Sequence, residues 1–149
     1  MELMSNGYPV VNSPAQLGQL TPSTPDTVID ELRAQLKAQG YLWLRGFFPR
    51  EDVSALRRRF FERMKPTGIL ADGVDAGEGI FSGQRDQTGQ STKLLMEFVR
   101  TAAYESFCFQ PRLWSFYEQL LGGDVYLHKR KIVRQSYPMI RAPLTRTTI

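Results

Sequence analysis

Residues Gln39–Phe61 read QGYLWLRGFFPREDVSALRRRFF, and their order decides how the rest of the chain is read. Gly40 closes a preceding helix, since glycine readily takes the left-handed conformation that ends one. Tyr41 to Arg45 carries apolar residues on both faces, the pattern of a short strand covered on both sides. Gly46 to Pro49 form a corner, and Glu51 and Asp52 open a second helix. Val53, Leu56, Phe60 and Met64 share one side of that helix, which ends among Arg57, Arg58, Arg59, Arg63 and Lys65. Acids therefore sit at the positive end of its dipole and cations at the negative end. The arginine run reads either as a solvated helix face or as a binding surface.

Toward the N-terminus, residues 1 to 24 hold Pro9, Pro14 and Pro22 among Ser, Asn, Thr and Gln. Such a composition buries too little apolar area to offset ordering, which predicts a poorly ordered tail. Thr24 is placed as a helix cap and Pro25 at the first helical position, with Asp26 and Asp30 near the dipole's positive end. Val28, Ile29, Leu32 and Leu36 form the apolar stripe that follows.

Toward the C-terminus the pattern dissolves from Pro66 to Ser91, where six of the twelve glycines fall. A loop of that length is either functional or a flexible surface segment. Leu94 to Phe107 spaces apolar residues as one helix. Pro111 starts another, in which Leu113, Tyr117 and Leu120 align and Gly122 and Gly123 provide the stop. Val125 to Gln135 reads as a strand, and Pro138 and Pro143 extend the chain beyond it.

The net charge of +4 is unevenly placed. Lys129, Arg130, Lys131, Arg134, Arg141 and Arg146 follow Asp124 with no acid, leaving thirteen cations against fifteen acids, or −2, before them. No window approaches the run of about eighteen apolar residues expected of a membrane-spanning helix. The N-terminus also lacks a secretory leader pattern, so the expected compartment is cytoplasmic. Cys108, set between two phenylalanines, reads as a small buried hydrophobe, with a reactive thiol as the alternative.

The single histidine, His128, and single cysteine exclude a tetrahedral zinc site and any two-histidine ligand set built from this sequence. Neither a nucleophile elbow, a dinucleotide fingerprint, a phosphate loop nor a calcium loop is present. On Val125 to Gln135, period-two geometry places His128, Arg130, Ile132 and Arg134 on one face and Lys129, Lys131, Val133 and Gln135 on the other. Two readings follow: an edge strand charged against edge-to-edge pairing, or a face lining a cavity for a carboxylate ligand.

Taken together, QGYLWLRGFFPREDVSALR, QPRLWSFYEQLLGG and VYLHKRKIVRQ resemble the N-terminal half of the phytanoyl-CoA dioxygenase family, over about residues 26 to 149. That resemblance implies an α+β fold, the N-terminal helices and first strands of a double-stranded β-helix (jelly-roll) oxygenase with an incomplete core. It implies Fe(II) and 2-oxoglutarate as cofactors and hydroxylation of a small organic substrate. It also suggests Lys93 and Arg130 as cofactor-binding residues, near positions that meet the 2-oxoglutarate carboxylates or face the cavity in family members. The family's His-X-Asp/Glu motif and distal histidine do not occur in these 149 residues. The expectation is therefore an N-terminal part or truncated form that is inactive alone, with no catalytic or metal-binding residue. Trp43, Phe47, Phe48, Trp114, Phe116 and Tyr117 are expected to be partly exposed. The alternatives are a non-catalytic protein that self-associates through an open strand at 125–135 and, ranked last, a basic nucleic-acid-binding module.

Overall fold

A computed structural model describes residues 3–5, 8–11, 13 and 17–135 of the chain. Two compact units are present, Met1–Phe47 and Phe48–Ile149.

In the first unit, β1 (Leu3–Ser5) and β2 (Tyr8–Val10) pair antiparallel, with Met4 opposite Pro9. Proline lacks a ladder donor, which confines it to an edge position such as this one. Then β3 (Pro22–Ser23) pairs in parallel with β4 (Trp43–Leu44) across helix α1 (Ile29–Gln39). Gln35 of α1 reaches back to this pair, accepting from Ser23 Oγ at 2.5 Å and donating to the Thr21 carbonyl at 3.4 Å. The Tyr41 hydroxyl accepts from Thr21 N at 2.9 Å. Within the segment expected to be a poorly ordered tail, β1 and β2 form a hairpin and β3 one strand of a parallel pair. Helix α1 begins later than expected. Thr24 and Thr27 bond to each other in a turn, and the helix starts after Val28. Ser and Thr side chains that bond locally compete with helix in this way. Leu32 is buried, Ile29 and Leu36 are half-buried, and Gly40 closes the helix at φ 77°. The expected strand at 41–45 contracts to Trp43–Leu44, with Arg45 N still donating to the Ser23 carbonyl at 2.9 Å.

The second unit is mostly helical. Helix α2 (Arg50–Met64) is capped by Pro49 and runs into a 3-10 turn at Lys65–Thr67. It is followed by a 3-10 turn at Ala76–Glu78, then α3 (Ser91–Phe98), α4 (Ala102–Cys108) and α5 (Pro111–Leu121). The core gathers Met64, Ile69, Ala76, Phe98, Val99 and Leu120. Edge-to-face rings link Phe60 to Phe61 and Phe98 at 5.3 and 5.2 Å, and Phe98 to Tyr104 at 5.4 Å. These are separations at which aromatic quadrupoles favour tilted pairs.

The single helix expected over 94–107 is two. Thr101 breaks it: its Oγ1 donates to the Phe98 carbonyl at 2.7 Å and accepts from Tyr104 N at 3.3 Å, which caps α4. The expected strand at 125–135 is not formed. Val125, Leu127, Lys131, Val133 and Gln135 are half-buried and Tyr126, His128, Arg130, Ile132 and Arg134 exposed, but Lys129, at a bend, is exposed as well and interrupts the alternation. No ladder partner for the segment exists among the described residues. Of the aromatic residues expected to be partly exposed, Trp43 and Tyr117 are exposed and Phe48, Trp114 and Phe116 half-buried, whereas Phe47 is buried. Pro138, Pro143, Tyr137, Arg141 and Arg146 lie outside the described residues.

Candidate functional site

The glycine-rich loop is seated on α2. Arg57 donates to the Glu78 carbonyl at 2.5 Å and stands over the Phe61 ring at 5.5 Å, while Arg58 pairs with Asp75. Asp75 Oδ1 also accepts from Gly77 N at 2.7 Å. The Arg58 hydrogen bond is the main reason the Asp75 carboxyl lies below its usual range, against an opposing burial effect. An antiparallel bridge joins Leu70 to Phe81, and Ser82 Oγ donates to the Gly68 carbonyl at 2.7 Å. Gly79, at φ 60°, lies so near α2 that an added Cβ would meet the Phe61 ring at 2.3 Å. The arginine run is therefore not wholly a solvated face, while Arg59 is exposed and borders two open recesses. Two of its members hold the loop, and Arg63 bonds Glu97 of α3 at 3.2 Å.

The loop ends at a cap for α3. Asp86 accepts from Thr88 N at 2.8 Å, Thr88 Oγ1 at 2.6 Å and Ser91 N at 2.7 Å. These hydrogen bonds, the Thr88 hydroxyl first, hold its carboxyl far below the usual range.

The two residues suggested for 2-oxoglutarate stand on different elements. Lys93 is exposed in the first turns of α3, with no ion pair to a described residue. Arg130 lies on the exposed row of the extended segment, its backbone N–H donating to His128 Nδ1 at 3.1 Å. No contact among the described residues brings Lys93 and Arg130 together. It is Lys131, on the covered row, that is engaged: its Nζ bonds Glu105 of α4 at 2.5 Å and fastens the segment to the helix.

Nearby, an apolar recess of about 290 Å³ lies between α5, the end of α4 and the start of the segment. Trp114, Tyr117 and Tyr126 contribute aromatic walls, Leu113 and Leu127 aliphatic ones, and Cys108 a thiol. Trp114 is set in place by stacking on Phe109, centroids 5.1 Å apart. Burial pushes the Cys108 thiol up; Lys131 and a hydrogen bond from Tyr104 act against that shift. It is a half-buried neutral thiol rather than an activated one. Among the described residues Asp124 is the only charged one in its walls. The sequence holds a partial signal for this recess: Leu113, Trp114, Tyr117 and Leu121 recur at helical spacing. The return of Asp124 and Tyr126 to that face is something no local pattern announces.

No group of three or more histidine, cysteine, aspartate or glutamate residues that could hold a metal occurs among the described residues. An iron site of two histidines and a carboxylate does not fit this sequence, whose only imidazole is His128. No described helix is long and apolar enough to cross a membrane. No family model, curated protein or solved structure matches the chain.

Proposed function

We propose that residues 26–149 are the N-terminal helical portion of an Fe(II)/2-oxoglutarate oxygenase of the phytanoyl-CoA dioxygenase kind. In that setting the helices buttress a β-core that carries the metal and hydroxylates a small organic substrate. One observation carries the reading: the element order α1, Gly40, a short apolar strand, the Gly46–Pro49 corner and a dipole-matched α2, with α5 and a basic extended segment later. On this reading Lys93 and Arg130 are the candidate cations for the 2-oxoglutarate carboxylates, and the iron ligands lie outside this sequence. The purified 149-residue chain, given Fe(II), 2-oxoglutarate and oxygen, is expected to release no succinate; measurable release would overturn the assignment of the ligands. The coding sequence past Ile149 tests the family itself. A His-X-Asp/Glu motif followed by a distal histidine is the expected result, and its absence from the full-length transcript sinks the proposal.

A second reading is favoured by the segment 125–135, whose exposure alternates on either side of a bend at Lys129 and which has no ladder partner among the described residues. Such a segment is suited to strand addition with another chain. Sedimentation of a monomer at high protein concentration would rule out self-pairing.

A further inference from the structure

We propose that the recess between α5 and the extended segment binds a small organic cation, an alkylated ammonium group, independently of any oxygenase role. Three features of the recess converge on that ligand class. Its walls include three aromatic side chains, Trp114, Tyr117 and Tyr126, whose ring faces attract cations, most strongly when the cation is alkylated and weakly hydrated. The one charged wall residue among those described, Asp124, is an acid. It lies just beyond Gly122, where α5 ends and the helix dipole presents its negative pole.

The remaining walls are aliphatic or thiol, suited to methyl or methylene groups. A recess of about 290 Å³ lies near the lower end of small-ligand sites, which admits a compact head group rather than a folded peptide. The neighbouring cation, Lys131, does not oppose this, because Glu105 neutralises it at 2.5 Å. An anion would meet Asp124 and the carbonyl end of α5.

Choline is the probe, and 3,3-dimethylbutan-1-ol, its uncharged isostere, is the control. The chain has two tryptophans, so Trp43→Phe leaves Trp114 as the reporter inside the recess. Titration with choline is expected to change Trp114 emission saturably, while the alcohol at equal concentration does not. Asp124→Asn should weaken choline binding by about fivefold or more, and Asp124→Glu should retain it. Asp124 is exposed, so far-UV circular dichroism of the variants is expected to match that of the parent. Equal responses to choline and the alcohol overturn the proposal, as does an Asp124→Asn variant that binds like the parent. So does the lack of any saturable response to choline.

Discussion

Gly79→Ala probes whether the glycine-rich loop is built onto α2 or merely lies beside it. Two costs add at this position. An L-residue at φ 60° is strained by roughly 1–2 kcal/mol. The new methyl would also stand 2.3 Å from Phe61 Cε2 and 2.7 Å from Cζ, well inside contact distance. Phe61 has little freedom to yield, with Phe60 edge-on at 5.3 Å and the Arg57 guanidinium above it at 5.5 Å. Overpacking of this kind costs about 1–3 kcal/mol, so the total is about 2–5 kcal/mol. Gly73→Ala is the matched control, since its φ is 71° but nothing lies within 4 Å of an added Cβ. It should show only the conformational part, about 1–2 kcal/mol. Urea denaturation followed by circular dichroism measures both, with the slope m checked for constancy. In a Phe61→Ala background, which lacks every ring atom within 3 Å of the new methyl, the Gly79→Ala penalty should fall to the Gly73→Ala level. If Gly79→Ala and Gly73→Ala cost the same in the parent, the loop is not seated on Phe61 and the reasoning is wrong.

Other outcomes follow from single contacts. Thr101→Ala should destabilise the second unit by about 1 kcal/mol through loss of the α4 cap, with Thr101→Ser close to neutral; thermal melts that rank serine with alanine would remove the cap from the explanation. The folded-state carboxyls of Asp75 and Asp86 titrate below the ordinary value of 3.8, so the stability they contribute is present above it and is lost as pH falls through their lower folded values. Arg58→Met should therefore flatten the acid limb of a stability-versus-pH curve, and an unchanged limb would exclude the Arg58–Asp75 pair as its cause. Alkylation of Cys108 should show its pH inflection above 9.0, because burial disfavours the thiolate. Lys131→Met should move the inflection higher still, and a parent inflection lowered instead of raised from the ordinary thiol value would contradict a half-buried thiol.

What the sequence discloses here is chiefly local. Gly40 and Gly122 follow apolar stripes and end α1 and α5 where expected, because a left-handed cap is a one-residue property. The α3–α4 break is hidden, since apolar spacing through 95, 98, 99 and 102 continues across it and only the Thr101 side chain marks the interruption. The seat of the loop is equally hidden. It depends on Phe61 meeting Gly79, and on arginines whose excess reads as solvation until Glu78 and Asp75 are placed beside them. Along 125–135 the two-residue alternation is legible except at Lys129, which a bend exposes although it was assigned to the face of Lys131, Val133 and Gln135. Which cation would be engaged was not, because Lys131 finds Glu105 twenty-six residues away. Lys93 and Arg130 came from family resemblance, and nothing in their own surroundings singles them out.

The parallel pairing of Pro22–Ser23 with Trp43–Leu44 also has a kinetic meaning. Its partners are twenty-one residues apart, and the entropy of closing so long a loop precedes any ladder bond. With α1 formed, much of that interval is a rigid rod, and Gln35 delivers the first tether to Ser23. Strand pairing in the first unit should then be contingent on helix formation: a helix-breaking change at an exposed position such as Ala34 should slow appearance of the pair rather than merely weaken it. This small parallel ladder would act as a timer for α1, closing only after the helix has formed.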